Sequence, residues 1–213
     1  MSLSLPEEIV TTKPRRRYAG TEERRERLLD TVAALVARKG YEATSMRDVS
    51  EALGVSPAGL YYHFKGKEDL LFQIQFRTFS ALLKAQEVVA TVPGTAEERF
   101  RRLMIGHLAF FSSHPNELKV CTYEMESLGG DLFEAVEEQR RRYYHLFSAV
   151  VAELMDQRVP PEGATPDRSR HASLFVFGML NWIFMWYDPA RHGTVEQIGE
   201  EMIDLALNGL RPR

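Results

Sequence analysis

The sequence predicts an all-α protein of about nine helices, with a small N-terminal three-helix module followed by a larger helical domain. Three observations lead to this prediction. Apolar residues recur at helical spacing in the long segments, as at Leu28, Leu29, Val32 and Val36. Capping residues mark the helix starts, and Pro and Gly interrupt the chain between the apolar segments.

Residues 1–20 are predicted to form a flexible, basic arm. Two prolines in this segment accompany the basic residues Lys13, Arg15, Arg16 and Arg17. The first helix is expected to begin at Thr21, where an amphipathic pattern starts. It is expected to end at Lys39, because Gly40 follows directly.

Two short helices are predicted next. Thr44 or Ser45 caps the second helix, Asp48 is placed to complete a capping box from Ser45, and Gly54 ends it. Ser56 caps the third helix. Two short helices joined by a tight turn are the pattern of a helix-turn-helix.

The charge of the chain is unevenly distributed. The net charge is −3, but the segment from Lys13 to Lys67 contains 12 Lys/Arg and 7 Asp/Glu, a balance of +5, which leaves −8 for the rest. A basic module is what nucleic-acid binding requires, because Lys and Arg displace condensed counterions from phosphates. A solvated helix face is the alternative explanation.

Residues from about 21 to 71 resemble the DNA-binding module of the TetR family of bacterial regulators. The resemblance lies in the stretch GYEATSMRDVSEALGVSPAGLYYHFKGKEDLL and in the amphipathic helix before it. The stretch combines a Gly-aromatic entry, a hydroxyl cap, the LGVS turn and the LYYHF-x-x-K ending. The resemblance implies a helix-turn-helix DNA-binding domain over residues 21–66 and a ligand-binding and dimerisation domain over residues 67–213.

The resemblance also implies which residues contact double-stranded DNA. The third helix, with its cap Ser56, would enter the major groove, with Pro57, Ala58 and Tyr61 nearest the base edges. Arg47 is the candidate for guanine, because a guanidinium group fits O6 and N7. The expected phosphate contacts are Thr44, Ser45, Tyr62, His63 and Lys67. The structural alternatives are that both tyrosines are core aromatics, the histidine ends a helix, and the arginine is a solvated charge.

Six further helices are predicted near residues 67–91, 95–113, 115–127, 131–157, 167–187 and 194–209. The run from Ala172 to Tyr187 is apolar almost all round, so we expect a second copy of the chain to cover part of it. The candidates for this homodimer face on the last two helices are Trp182, Ile183, Trp186 and the stripe 205–210. An inverted-repeat operator would follow from the twofold symmetry.

An effector pocket is predicted where polar groups interrupt the inward faces of the larger domain. His107 lies on the fifth predicted helix and Arg140 on the seventh. Either Arg140 pairs with Glu124, Glu126 or another carboxylate and His107 bonds a carbonyl, or both orient an acidic or thioester ligand. The predicted pocket residues are Phe79, Met104, His107, Phe111, Met125, Arg140, Tyr144, Phe147 and Asn181.

The C-terminal stretch NWIFMWYDPARHGTVEQIGEEMIDLALNGL resembles family members that respond to acyl-CoA esters. This resemblance implies a transcriptional repressor whose first candidate effector is an acyl-CoA ester, with a drug or an aromatic acid as the alternative. The fourth helix runs from the DNA module into the sensor domain and is expected to transmit the signal. Ligand would favour a conformation in which the two modules no longer match successive major grooves.

Other classes of protein are disfavoured. The single Cys121 cannot form an intrachain disulfide and no Cys/His cluster has metal-ligand spacing, so no metal or cofactor is expected. With no secretory signal and no apolar run of ~20 residues, a cytoplasmic protein without a membrane partner is expected. An enzyme would need a phosphate loop or a nucleophile elbow, which are missing. A non-specific architectural DNA binder is the other alternative.

Overall fold

The computed structural model describes residues 15–155 and 168–210, which are α-helical and contain no β-strand, as predicted. The ten helices of this part are α1 (Arg15–Lys39), α2 (Met46–Leu53), α3 (Pro57–His63), α4 (Lys67–Ala90), α5 (Ala96–Ser113), α6 (Pro115–Tyr123), α7 (Gly130–Leu154), α8 (Arg168–Asn181), α9 (Pro189–His192) and α10 (Val195–Asn208). A 3-10 turn, Ile183–Met185, follows α8. No helix in the described ranges has the length and apolar character of a membrane-spanning segment.

The predicted helix-turn-helix is confirmed, and local capping explains it. The Ser45 hydroxyl accepts a hydrogen bond from the amide of Asp48 at 3.1 Å, and the Asp48 carboxylate accepts one from the Ser45 amide at 2.7 Å. Gly54 ends α2 with φ of 63°, a left-handed conformation that glycine adopts without strain. Ser56 caps α3 by accepting from the Gly59 amide at 3.1 Å.

Two helix boundaries in the first two-thirds of the chain differ from the predicted ones. α1 begins at Arg15, so the end of the predicted arm is helical; residues 1–14 lie outside the described residues. α6 ends at Tyr123 and does not continue to residue 127. Glu124 ends the helix, and its side chain accepts a hydrogen bond from the backbone amide of Tyr41.

The single helix predicted over residues 167–187 is wrong. α8 ends at Asn181, and the 3-10 turn that follows brings Ile183 into the core. Asp188 then caps α9, because its carboxylate accepts from the amide of Ala190 at 3.0 Å. The sequence has no Pro or Gly between Gly178 and Pro189 to mark this break, so its position depends on packing.

Two hydrophobic cores form, and three helices, α4, α6 and α7, contribute to both. The first core joins α1–α3 to the start of α4, and the second lies among α4, α5, α7, α8 and α10. On α4, Ile74 lies in the first core and Leu82 in the second. On α6, Val120 lies in the first core and Leu118 in the second, and α7 contributes to both cores in the same manner. A displacement of any of these three helices therefore changes the packing of both cores.

Arg77 of α4 connects α1 with α6 by ion pairs. Its guanidinium group contacts Glu26, lies 2.5 Å from Asp30, and lies 3.3 Å from Glu117 of α6. Burial lowers the pKa of Arg77, but the carboxylates of Asp30 and Glu26 outweigh this effect and raise it above its usual value. Glu117 is buried, so its charge depends on the arginine for compensation.

Substituting Arg77→Met should lower the free energy of unfolding by about 3 kcal/mol, because the buried Glu117 carboxylate loses its partner. The control Glu26→Gln removes an exposed member of the same network and should cost less than about 1 kcal/mol. Urea unfolding followed by circular dichroism measures both changes. Equal losses in the two variants would show that the buried carboxylate does not depend on Arg77.

Candidate DNA-binding surface and effector cavity

The outer side of α3 presents two large aromatic side chains to solvent. Tyr61 is 56% exposed and Tyr62 is 86% exposed, whereas Leu60 and Phe64 are buried and anchor the helix in the first core. The alternative that both tyrosines are core aromatics is therefore wrong. The other exposed residues of this surface are Ser45, Arg47, Ser56, Pro57, Ala58 and His63. Exposed hydroxyl, imidazole and guanidinium groups are able to contact phosphates and base edges.

Thr44 differs from the other predicted contacts. Its side chain is 2% exposed, and its hydroxyl donates a hydrogen bond to the carbonyl oxygen of Gly40 at 2.7 Å. The hydroxyl thus holds the connection between α1 and α2. A phosphate contact through this side chain is not supported, because the hydroxyl is already used inside the module.

The two positively charged residues predicted to contact DNA, Arg47 and Lys67, differ in their interactions within the protein. The exposed Arg47 pairs only with Glu51, one turn further along α2, at 2.9 Å. Such an exposed pair is weak, so the guanidinium group can exchange it for a base edge at little cost. Lys67 is more constrained, because its Nζ lies 4.1 Å from the centre of the Tyr41 ring and donates to the carbonyl of Glu42 at 3.2 Å.

A cavity of 220 Å³ lies inside the larger domain, between α4, α5, α6, α7 and α8. Its walls are mostly aromatic and aliphatic. The predicted residues that line it are Phe79, His107, Phe111, Met125, Arg140, Tyr144 and Asn181. The lining residues that the sequence analysis missed are Leu82, Leu118, Cys121, Thr122, Tyr143, Leu174 and Phe177.

Two predicted pocket residues lie elsewhere. Met104 and Phe147 are fully buried in the second core and do not line the cavity, because they face neighbouring helices. Tyr143 was missed although a signal was present: it lies seven residues after Val136 and four before Phe147, on the same inward stripe of α7. The missed aliphatic residues carry no comparable signal, since any inward position suits them.

His107 and Tyr143 form a buried polar pair at the cavity wall. The Nδ1 atom of His107 lies 2.9 Å from the Tyr143 hydroxyl, and the two rings stack at 16°. The expectation that His107 bonds a carbonyl is therefore wrong. Burial lowers the pKa of His107 to about 3, and an interaction with the Asn181 side chain acts in the opposite direction. The imidazole is thus neutral near pH 7.

Arg140 is paired within the protein. Its Nη1 atom lies 2.7 Å from the Glu137 carboxylate, one turn earlier on α7, and its guanidinium carbon lies 5.7 Å from the centre of the Phe79 ring. The pairing partner is thus neither Glu124 nor Glu126. Because Glu137 neutralises its charge, Arg140 adds little net positive charge to the cavity.

α6 connects the cavity to the DNA-binding module. Leu118, Cys121 and Thr122 line the cavity from this helix. Directly after it, the carboxylate of Glu124 accepts a hydrogen bond from the backbone amide of Tyr41 at 3.0 Å, at the end of α1. The segment that follows α6 is therefore joined by a hydrogen bond to the start of the helix-turn-helix.

An apolar surface is exposed on α8, on the turn after it and at the end of α10. Its most exposed members are Phe175, Trp182, Met185, Trp186 and Leu210. Ile183, which was predicted to belong to this surface, is buried in the core of its own chain because the 3-10 turn points it inward. The remaining patch is a surface of the kind that meets a partner.

His107 should make stability depend on pH. Its folded-state pKa of about 3 lies below the usual 6.5, so the unfolded chain binds the proton first, and stability falls as the pH falls through this window. From pH 6.5 to about 5, the wild type should lose about 2 kcal/mol more than His107→Phe/Tyr143→Phe, which removes both polar groups. Urea unfolding at each pH measures this. Parallel pH profiles would contradict a neutral, buried imidazole.

Two family profiles match this chain. The profile described as bacterial regulatory proteins of the tetR family covers residues 28–74, and the tetracyclin repressor-like C-terminal domain covers residues 93–210. The HTH-type transcriptional repressor KstR2 of Rhodococcus jostii (strain RHA1) is 26% identical over 210 residues, which cover 94% of this chain and 98% of that relative.

Solved structures share the fold. PfmR, a TetR family transcriptional regulator from Thermus thermophilus, matches with a TM-score of 0.76 and 30% identity over 89% of this chain and 98% of its own. AibR in complex with isovaleryl coenzyme A and operator DNA matches with a TM-score of 0.74 and 24% identity over 85% and 97%. These relatives are regulators and not enzymes. The chain belongs to the TetR family of DNA-binding transcriptional regulators.

Proposed function

We propose that the chain is a repressor that binds an inverted-repeat operator as a homodimer and leaves DNA when a small hydrophobic effector, first of all an acyl-CoA thioester, binds. The observation that carries this proposal is the apolar cavity. Its walls include residues of α4 and α6, and these two helices also pack against the DNA-binding module. A ligand in the cavity would therefore contact the helices that position α3.

Two features of the module support operator binding. Tyr61 and Tyr62 on α3 and Arg47 on α2 are all exposed to solvent. The excess positive charge between residues 13 and 67 attracts the phosphate backbone. We assign base recognition to Arg47, Pro57, Ala58 and Tyr61, and backbone contacts to Ser45, Ser56, Tyr62, His63 and Lys67.

A second copy of this chain is the proposed partner for the exposed apolar surface of α8 and α10. Pairing two helices from each copy about a twofold axis makes a four-helix bundle and removes Phe175 and Trp182 from water. The same axis would place the two α3 helices about 34 Å apart, one helical turn of DNA. The inverted-repeat operator follows from this arrangement.

The cavity suits the acyl part of a thioester and not its nucleotide part. Its 220 Å³ is smaller than the roughly 300–1,000 Å³ of most ligand pockets, so it fits a short, branched or monocyclic group. The phosphates of CoA would stay near solvent, because burying their charge is costly. The resemblance of the C-terminal stretch to acyl-CoA-responsive members points the same way. Because AibR was solved with isovaleryl coenzyme A, this thioester is the first probe.

We infer that release follows a population shift carried by α6 as well as by α4. Effector would favour the position of α6 that best fits the acyl group around Leu118 and Cys121. Through the Glu124 contact to the Tyr41 amide, that position would change the angle between the module and the sensor domain. The two α3 helices would then no longer match successive major grooves.

The central experiment combines operator selection with effector release. Sites selected from random DNA should contain an inverted repeat, and isovaleryl-CoA should release the protein, whereas isovalerate and free CoA should not. The control Tyr62→Ala should lower operator affinity about tenfold without changing thermal stability, because the side chain is exposed. An operator that resists release by acyl-CoA esters of every chain length would exclude this effector class. No sequence preference would exclude the repressor.

Phe79→Ala should weaken effector binding about tenfold while changing operator affinity without effector less than about twofold, because the ring lines the cavity and is not among the residues assigned to DNA contacts. The matched control is Phe76→Ala on the same helix, which does not line the cavity and should leave effector affinity unchanged. Calorimetry and operator binding measure the two affinities. Equal loss of both in Phe79→Ala would refute the separation of sensing from DNA binding.

A further inference from the structure

One polar atom at the cavity wall has no hydrogen-bond partner. Among the described residues, three buried side-chain nitrogen or oxygen atoms lack one: Gln86 Oε1, Arg102 Nε and His107 Nε2. Only His107 lines the cavity. An unsatisfied buried polar group is costly, so in a sensor domain it marks the place where a ligand supplies the missing partner.

The hydrogen bond with Tyr143 indicates whether Nε2 of His107 carries a hydrogen atom. If Nδ1 of His107 donated to the phenol oxygen, the phenol hydrogen and the Nε2 lone pair would both be left without partners. If the Tyr143 hydroxyl donates to Nδ1, only one group is left over, the Nε2–H donor. The second arrangement has fewer unsatisfied groups, so we assign the N–H group to Nε2 of His107, a residue of the cavity lining.

The groups around this donor favour a ligand whose hydrogen-bond acceptor is neutral. The cation of the cavity, Arg140, is already paired with Glu137, so a carboxylate placed deep in the cavity would lack compensation. The rings packed on His107 are Phe111, Tyr143 and Phe177, which are uncharged. The Asn181 amide, also in the lining, is neutral and lies near enough to act on the pKa of His107, but it makes no hydrogen bond of normal geometry with Nε2.

We propose that the effector carries a neutral carbonyl oxygen inside the cavity, which accepts a hydrogen bond from Nε2–H of His107. The inference rests on the proposed function and narrows its effector class: a thioester or ketone oxygen fits, whereas a free carboxylate or a purely hydrocarbon group does not. A ligand that displaces solvent without supplying an acceptor leaves the donor unsatisfied, and the site discriminates against it.

The test compares two ligands that differ only at the carbonyl. Isovaleryl-CoA has the thioester oxygen, and S-isopentyl-CoA replaces the carbonyl with a methylene group. The wild type should bind the thioester at least about tenfold more tightly by calorimetry, since an unpaired buried donor is costly. His107→Phe/Tyr143→Phe, which keeps two rings of similar shape, should lose this preference. Equal affinities in the wild type, or an unchanged preference in the variant, would overturn the inference.

A second pair of ligands separates failure of this inference from failure of the acyl-CoA proposal. If neither CoA compound binds, the acyl-CoA effector class fails, and the carbonyl inference is then tested with 2-octanone and 2-methyl-1-octene, in which a methylene replaces the oxygen. The ketone should stabilise the wild type against heat more than the alkene does, and the double variant should lose the difference. No difference in the wild type, including no stabilisation by either compound, would overturn the inference.

Nitrogen NMR of the ligand-free protein tests the donor directly. Labelled His107, assigned by comparison with His107→Phe, should show a protonated Nε2 and an unprotonated Nδ1. The variant Tyr143→Phe removes the hydroxyl that fixes the tautomer and should give a mixture of both forms. A proton on Nδ1 in the wild type would overturn the assignment, because Nε2 would then be an acceptor.

Discussion

α6 packs against α1 on one side and lines the cavity on the other. Arg77 of α4 links these two helices through ion pairs with Asp30 of α1 and Glu117 of α6. The arrangement matters because α6 is short and shares both hydrophobic cores. This short helix has an ion pair near one end and a hydrogen bond to the backbone of Tyr41 just beyond the other. The cavity and the DNA-binding module therefore share one helix.

The DNA-binding module combines a packed core with exposed side chains that do not contribute to that core. Leu60 and Phe64 fix α3 from inside, while Tyr61 and Tyr62 make no contribution to the core. Adjacent aromatic rings exposed to solvent are a feature that can mark an interaction site. The surface can therefore change its sequence preference through exposed residues without loss of the fold.

The cavity combines apolar walls with one neutral polar pair. A charged group at His107 would bind anions tightly, but burial in a shell of aromatic rings keeps the imidazole uncharged. A ligand site of this composition would recognise shape together with one hydrogen bond. It would separate ligands by the presence of an acceptor more sharply than by the length of a chain, because an unpaired donor costs more than one methylene group.

The sequence predicted most of the helices and the helix-turn-helix, because the caps at Ser45 and Ser56 and the turn at Gly54 involve residues within one turn of each other. It also placed seven of the nine predicted cavity residues, through helical periodicity. Only the tertiary structure decided the pairing of His107 with a tyrosine 36 residues away, the Glu124 contact across 83 residues, and the break after Asn181. These features depend on which helix faces meet, and no local pattern encodes that choice.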